Sequence, residues 1–361
     1  MTDIGSMTYP ELESYILSMG EKKFRAAQLY EWLHKKEAAS FDEMSNLPQS
    51  LRKRLEDENG PLNFPKIRKK LVSQLDGTVK YLYAFADGET VECVRMEYRH
   101  GSSLCISSQA GCRMGCKFCA STLMGLSRNL EPYELLGQVY AAERDAGKKI
   151  DSIVMMGIGE PLDNYDNVLR FLRLLSDEKG RGLSLRHVSL STCGLVDKID
   201  RLAQEKLQLT LSVSLHAPND RLRRELMPVA NRWSVDELLA ACWRYEAATG
   251  RRISFEYALA EGQNDSPACA EELASRLRGH LAHVNLIPVN PVEERGFSPT
   301  SQRFVERFQK LLEARHITAT VRRRLGADIN AACGQLRRSS GGEAPAGETR
   351  TAVGARRAPL G

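Results

Sequence analysis

The stretch that decides the fold is Cys112-Arg113-Met114-Gly115-Cys116-Lys117-Phe118-Cys119, which places three thiols in a Cys-x3-Cys-x2-Cys pattern within eight residues. Cysteine thiolates hold iron–sulfur clusters, and four-ligand sites usually supply a fourth cysteine nearby. With only three, one iron of a four-iron cluster stays open to a small molecule. The same spacing leaves two alternatives open, a zinc knuckle and three buried thiols.

The composition is that of a globular protein. Of 361 residues, 42% are hydrophobic and 27% are charged, and no apolar run approaches the ~20 residues that span a bilayer. The amino terminus lacks a signal-peptide pattern, and five of the nine cysteines lie within residues 93–119. Such crowding favours metal or redox chemistry in a reducing compartment over a disulfide framework. We therefore expect a cytoplasmic protein with no membrane partner. The net charge of +5 is too small to argue for nucleic acid alone.

The chain before residue 101 divides into a helical part and a strand part. A helical unit is predicted for residues 1–64, because apolar residues recur at helical spacing over 9–17, 24–36 and 47–55. A three-stranded β-meander is predicted for residues 65–100, because Asp76-Gly77 and Asp87-Gly88 separate runs of alternating hydrophobicity. Those runs are 71–75, 79–85 and 91–96.

Strands and helices alternate from residue 101 onward, which indicates a parallel sheet. Strands are expected at 102–108, 152–157, 186–192, 208–215, 253–259, 283–288 and 317–322. Helices are expected at 131–145, 164–175, 195–205, 234–248, 267–279 and 301–314, with caps at Pro132, Ser234 and Ser266. Six such units predict an open or closed α/β barrel. Residues 337–361 have no periodicity and are expected to be a disordered tail.

Unusual polar groups follow the predicted strands, at the end where α/β sheets bind ligands. The first strand leads through Cys105 to the three-thiol loop. The second ends in Gly157-Ile158-Gly159-Glu160, where two glycines allow close backbone approach and a carboxylate can accept from an ammonium. Other strand ends carry Ser191, Ser214, His216 and Asn290. A lone histidine is more often structural than functional, but the set together predicts a polar ring around one site.

These motifs closely resemble the radical S-adenosylmethionine (SAM) methyltransferases of the RlmN/Cfr family, which modify adenine in large-subunit ribosomal RNA. The resemblance runs from about residue 20 to residue 336. It is carried by Val91–Val94, Cys105–Gln109, the thiol loop through Leu130, Met156–Leu162, Ser214–Asp220, Phe255–Tyr257, Val284–Asn290 and Asp328–Leu336. Gly159–Leu162 and Ser214–Asp220 favour the adenine-C2 branch, RlmN. The resemblance implies a radical SAM partial (β/α)6 barrel over residues 101–336.

The resemblance also implies roles for individual residues. Cys112, Cys116 and Cys119 would hold a 4Fe–4S cluster. SAM contacts are implied for Gly159, Glu160, Ser191, Ser214, His216 and Asn290. Cys333 resembles the cysteine that becomes methylated, Cys105 the one that resolves the RNA–protein adduct and leaves a disulfide, and Glu92 the residue that accepts a proton. Departures from the family pattern are Cys93, Cys193 and Val229-Ala230, while Cys242 and Cys269 are expected to be structural.

The implied reaction has its own chemical logic. Carbon 2 of adenine lies between two ring nitrogens and is too electron-poor to attack the methyl group of SAM. A cysteine thiolate can take that methyl first, which splits one hard step into two. A second SAM then supplies radical chemistry, so two SAM molecules per turnover are expected. The scheme needs two thiols outside the cluster and one base, which Cys333, Cys105 and Glu92 would provide.

The resemblance implies 23S rRNA, before or during ribosome assembly, and tRNA as substrates, with a flavodoxin or ferredoxin as electron donor. Basic clusters at Lys66–Lys70 and Arg322–Arg324 are candidate phosphate contacts. Each of these clusters, like a third at Arg221–Arg224, is more often a solvated face than a phosphate site. Two rivals stay open. One is an adenine-C8 methyltransferase of the same fold that confers antibiotic resistance, and the other is a non-catalytic RNA-binding module stabilised by zinc.

Overall fold

The computed structural model describes residues 3–99, 101–289 and 296–331, so Asn290, Cys333 and the predicted tail lie outside the described residues. Three helices open the chain, α1 (Tyr9–Ser18), α2 (Lys23–His34) and α3 (Gln49–Asn59). A meander of three strands follows, β1 (Lys66–Val72), β2 (Val79–Ala84) and β3 (Thr90–Tyr98). Helical spacing and the two Asp-Gly turns predicted these elements.

Strands and helices then alternate. The strands are β4 (Gly101–Cys105), β5 (Gln109–Gly111), β6 (Leu126–Asn129), β7 (Ser152–Met155), β8 (Val188–Thr192), β9 (Thr210–Ser214), β10 (Ile253–Leu259), β11 (Ala282–Pro288) and β12 (Thr318–Val321). The helices are α4 (Pro132–Ala146), α5 (Tyr165–Ser176), α6 (Val196–Gln204), α7 (Asp220–Leu226), α8 (Val235–Thr249), α9 (Pro267–Leu277) and α10 (Gln302–Ala314).

A ten-stranded sheet joins the meander to the βα region, in the order β1-β2-β3-β4-β7-β8-β9-β10-β11-β12. Neighbours from β1 to β4 pair antiparallel, and those from β4 to β12 pair parallel. Within the described residues β1 and β12 form the edges, so the sheet is an open partial barrel with six βα crossovers. The predicted open α/β barrel is confirmed. Parallel strands end on the same side, which brings their polar carboxyl ends together.

Local sequence explains where several helices begin. At the start of α8, the Ser234 hydroxyl accepts from the Glu237 N–H at 3.1 Å while the Glu237 carboxylate accepts from the Ser234 N–H at 2.8 Å. This is the predicted capping box, which satisfies two N–H groups that the helix itself cannot bond. Pro132 begins α4, and Ser266 caps α9 before Pro267, both as predicted.

The amino-terminal helices pack into the same hydrophobic core as the βα region. Tyr133 of α4 is fully buried and donates to the Ala38 carbonyl at 3.3 Å. Its ring covers Gly5, where an added Cβ would lie 2.4 Å from ring atoms. No helix within the described ranges is long and apolar enough to cross a membrane.

Two strand predictions were wrong in their bounds. β1 begins at Lys66, not residue 71, because an edge strand pairs on one side only and leaves charged side chains in solvent. β4 ends at Cys105, not residue 108, and the chain turns into a hairpin of β5 and β6. Strands of three and four residues are too short to show a hydrophobic period, so the sequence did not predict this hairpin.

Candidate active site

Two adjoining cavities lie at the carboxyl ends of the parallel strands. The first, of about 280 Å³, is lined by Cys112, Cys116, Cys119, Gly159, Glu160, Ser191, Ser214 and His216. The second, of about 480 Å³, is lined by Glu92 and Cys105 together with Arg322–Arg324 and Ala331. Both are lined by Met156, Gly157, Ile287, Val289 and Arg322, so they share a wall. Every described residue of the predicted site therefore lines one of two neighbouring cavities.

The three-thiol loop connects β5 to β6 and is fixed by its backbone. The Cys112 N–H donates to the Gly125 carbonyl at 2.8 Å, and the Lys117 N–H donates to the Leu226 carbonyl at 2.9 Å. Arg113 beside the first thiol donates through Nε to Asp163 at 3.0 Å. The loop is thus tied to the β7 side of the sheet and to the end of α7, which holds the thiols against the cavity.

The thiols fit a cluster better than a single metal ion. Burial raises the pKa of Cys112 to about 12 and also raises that of Cys116, with neighbouring thiols adding to both effects. Three thiolates leave a tetrahedral structural zinc one ligand short, whereas a 4Fe–4S cluster can take one thiolate on each of three irons. The positive irons would also stabilise the thiolates that burial disfavours.

Glu160 is a buried carboxylate in the first cavity. It accepts from the Cys193 N–H at 2.7 Å and the Leu162 N–H at 3.0 Å, while its own N–H donates to the Gln109 amide oxygen at 2.8 Å. Burial raises the pKa of Glu160, and the hydrogen bonds from Cys193 and Leu162 oppose that rise. An ammonium group from a ligand would stabilise such a carboxylate. The family departure at Cys193 leaves this contact in place, because the contact uses its backbone.

His216 contributes a neutral ring to the same cavity. Its Nδ1 accepts from the Ala258 N–H at 2.9 Å, so the proton of the neutral ring is on Nε2. Burial, with the nearby Arg223, lowers the pKa of His216 to about 3. The ring packs edge-on against Phe118 of the thiol loop, with centroids 4.8 Å apart. His216 can therefore donate a hydrogen bond at neutral pH but does not act there as an acid.

Arg223 corrects the expectation that Arg221–Arg224 is a solvated face. It is completely buried and donates to the carbonyls of Leu215 at 3.2 Å and Cys193 at 2.6 Å. The cluster lies in the short helix α7, whose turn directs Arg223 inward together with Leu222 and Leu226. Its guanidinium joins the ends of β8 and β9, the two strands that carry Ser191 and Ser214.

The second cavity holds the other predicted catalytic groups. Burial raises the pKa of the Cys105 thiol, and Arg322 opposes that rise. Glu92 is buried and lies 2.9 Å from the ammonium of Lys80. Cys333 lies outside the described residues, as does Asn290, so neither prediction is tested. Ala331, two residues before Cys333, lines this second cavity.

Sequence reasoning missed three buried charged residues at the site, Lys80, Arg223 and Glu256. Glu256 lines the first cavity, accepts from the Asn285 amide at 2.7 Å, and has a pKa raised by burial. A charged residue inside an otherwise apolar strand was the available signal for Lys80 and Glu256. The predicted meander also placed Lys80 and Glu92 on neighbouring strands, which is where opposite charges pair.

Comparisons with known proteins agree with this site. Residues 2–59 match the family described as Ribosomal RNA large subunit methyltransferase N-terminal domain, and residues 106–270 match the Radical SAM superfamily. The chain is 51% identical over 337 residues to the "Probable dual-specificity RNA methyltransferase RlmN" of Lachnospira eligens, covering 93% of this chain and 96% of the relative. The protein of the same name from Lachnoclostridium phytofermentans is 50% identical, covering 93% and 94%.

A solved structure is similar over the same length. The crystal structure of a radical SAM methyltransferase from Sphaerobacter thermophilus superimposes with a TM-score of 0.89 at 45% identity, covering 93% of this chain and 99% of that one. The parallel βα sheet, the thiol loop and the cavity at the strand ends define the class, a radical SAM enzyme.

Enzymes of this class use SAM and a 4Fe–4S cluster. With about half of its residues identical over nearly the whole length, the chain belongs to the RlmN family of radical SAM RNA methyltransferases. The predicted family and enzyme class are confirmed. These matches favour neither the adenine-C8 rival nor the non-catalytic zinc module.

Proposed function

We propose that this enzyme methylates carbon 2 of adenine in large-subunit ribosomal RNA and in tRNA. The observation that carries the proposal is the pair of adjoining cavities. One is lined by three thiols and the polar strand ends, and the other by a buried carboxylate and a separate thiol. Such a pair suits a reaction in which a cofactor and a nucleic-acid base occupy neighbouring sites.

The first cavity is proposed to bind the cofactors. Cys112, Cys116 and Cys119 would hold the 4Fe–4S cluster, which when bound supplies the electron that makes SAM a radical source. The Glu160 carboxylate accepts from the ammonium of SAM, and Gly159 allows close backbone approach. Ser191, Ser214, His216 and Asn290 complete the SAM site.

The second cavity is proposed to receive the adenine. The Cys333 thiolate takes a methyl from one SAM, forming an S–CH3 bond and releasing S-adenosylhomocysteine. A second SAM would be consumed in the radical step that removes a hydrogen atom from the S-methyl group of Cys333, which makes two per turnover. Once the carbon on Cys333 is joined to carbon 2, the adduct gives up one electron, which would return to the cluster, and Glu92 accepts the proton of that ring carbon. Cys105 then attacks the Cys333 sulfur and breaks the S–C bond. The electron pair stays on the released carbon, which takes up a proton to become the methyl group, and a Cys105–Cys333 disulfide remains.

The RNA is proposed to enter over the arginine cluster Arg322–Arg324. All three residues are exposed and line the second cavity, so phosphates can be neutralised next to the base that enters it. The adenine must leave its base stack to enter this cavity. Lys66–Lys70 on the exposed edge strand β1 offers a second basic surface. A flavodoxin or ferredoxin is the proposed electron donor.

Nucleoside mass spectrometry tests the proposal directly. The chain is expressed in a strain that lacks adenine-C2 methylation, and its 23S rRNA and tRNA are digested to nucleosides. We expect 2-methyladenosine in both digests. Appearance of 8-methyladenosine instead would refute the assigned carbon. If the expressed protein contains iron and sulfide but neither 2-methyladenosine nor 8-methyladenosine is found in the digests, the proposed reaction is refuted.

Cysteine variants test the assigned thiols. Cys333→Ala should abolish methylation while iron content is unchanged, and the parent protein should carry one extra methyl by intact mass. Cys105→Ala should retain RNA covalently bound to protein. Cys269→Ala is the matched control, because Cys269 is also buried but lines neither cavity. Equal loss of methylation in all three variants would contradict the assigned roles.

A further inference from the structure

Lys80 makes contacts that the proposed reaction does not yet use. It lies in β2 with a completely buried side chain, and its Nζ is 2.9 Å from Oε2 of Glu92, which is itself 1% exposed. The same Nζ donates to the carbonyl of Asn330 at 2.9 Å. One ammonium therefore joins the proposed base to the chain segment that leads to Cys333.

A buried ion pair of this kind is weak support for stability. Removing two charges from water costs several kcal/mol per ion, and apolar replacements of similar volume are often as stable. Breaking such a pair on one side is costly, because the other charge is left buried and uncompensated. The pair is better explained by the need for a charged carboxylate on the wall of the second cavity, where Glu92 lies.

Other contacts hold the segment that Lys80 touches. Asp328 accepts from the Ser73 hydroxyl at 2.6 Å and from the Gln74 N–H at 2.9 Å. The Gly326 N–H donates to Asp76 at 2.8 Å. The turn between β1 and β2 therefore holds the segment that leads to Asn330, whose carbonyl accepts from the Lys80 ammonium.

We propose that Lys80 is a positioning residue that holds the Glu92 carboxylate on the wall of the second cavity, where it can accept the proton from carbon 2. This inference rests on the proposed function. Other ionisable groups that line the cavity around Glu92 are Cys105 on β4, Tyr98 on β3 and the cluster Arg322–Arg324. The arginines are exposed, whereas Lys80 is buried in direct contact with the carboxylate, so Lys80 is the cation whose attraction to Glu92 solvent screens least.

The test compares Lys80→Met with Lys80→Arg in the reconstituted holoenzyme. Lys80→Met should still carry the methyl on Cys333, because Asp76 and Asp328 hold the segment and that step needs no base. Single-turnover methylation at pH 7 should fall about 10²-fold with accumulation of the RNA–protein adduct, as expected when a general base is lost. The apparent affinity for RNA should be unchanged, because the exposed Arg322–Arg324 cluster, and not the buried Lys80, is placed to contact phosphates.

Two further variants separate the possible results. Lys80→Arg keeps the charge and should restore most of the single-turnover rate. Lys148→Met is the matched control, because Lys148 also pairs with a glutamate, Glu97 at 2.8 Å, but is half exposed; its rate should match the parent. A parent-like single-turnover rate in a folded, iron-loaded Lys80→Met protein, or an equal rate loss with both Lys80 variants, would overturn the inference. If Glu92→Gln methylates like the parent, the assigned base fails instead.

Discussion

The close backbone approach at Gly159 gives a substitution whose cost follows from the structure. Gly159 has a φ of 103°, and an added Cβ would lie 2.6 Å from Cβ of Gln109, 2.7 Å from its backbone N and 2.8 Å from the Ser108 hydroxyl. Two of these atoms belong to or adjoin the backbone of β5. They cannot swing away as the end of a flexible side chain would, so Gly159→Ala must displace the chain.

Two physical costs add in Gly159→Ala. A positive φ costs a residue with a Cβ about 1–2 kcal/mol, and overpacking against a fixed neighbour costs about 1–3 kcal/mol. We expect a total loss of stability of about 2–5 kcal/mol. The displacement also reaches Glu160, whose N–H donates to Gln109 at 2.8 Å. Loss of one charge-assisted contact of about 1.5–3 kcal/mol corresponds to SAM binding weakened roughly 10- to 100-fold.

Gly147→Ala is the matched control. Gly147 ends α4 with a φ of 65° and has no atom within 4 Å of an added Cβ, so only the backbone cost of about 1–2 kcal/mol applies. Urea unfolding and SAM titration, both under anaerobic conditions, measure the two effects. Equal unfolding midpoints for the two variants, together with parent-like SAM binding by Gly159→Ala, would refute the close approach and its link to Glu160.

Two further predictions concern buried polar groups. Burial lowers the pKa of His34 to about 3 from 6.5. Above pH 6.5 the ring is neutral in both states, so the full stability is present. As the pH falls from 6.5 toward 3, only the unfolded chain takes up the proton, so stability is lost. His34→Phe should reduce the slope of unfolding free energy below pH 6.5 by up to about 1.4 kcal/mol per pH unit, and an unchanged slope in urea titrations would contradict this. Asn264→Leu removes three buried hydrogen bonds, to His216 at 2.7 Å, Ala258 at 2.6 Å and Ala260 at 2.9 Å. It should cost about 3 kcal/mol or more and weaken SAM binding, because it frees the His216 backbone; parent-like unfolding would exclude that role.

The sequence predicted the site residues that lie near the ends of parallel strands. Hydrophobic periodicity located the strands, and the rule that parallel sheets bind ligands at their carboxyl ends then brought Glu160, Ser191 and Ser214 together. Ser191 and Ser214 lie in the last two residues of their strands, and Glu160 lies five residues after its strand ends. An error of one or two residues in the strand bounds therefore leaves them on the same edge. The structure places all three around one cavity.

The parts that the sequence did not predict depend on contacts between distant segments. Arg223 looked like one of several surface arginines, and only the packing of α7 against the ends of β8 and β9 buries it. Lys80 and Asn330 are 250 positions apart, and no local pattern connects them. The hairpin of β5 and β6 has strands of only three and four residues, too short for a hydrophobic period in the sequence.

The change of strand direction at β4 explains how one sheet supplies two cavities. Cys105 pairs with Val94 of the antiparallel β3 on one side and with Val154 of the parallel β7 on the other. A purely parallel sheet would end at β4 and leave Cys105 on an open edge. Adding the antiparallel meander continues the sheet past that edge, and it brings Glu92 and Lys80 on paired strands beside the same thiol. The base and the second thiol of the proposed reaction are thus held by strand pairing, which positions side chains more precisely than a loop and keeps both at a fixed distance from the first cavity.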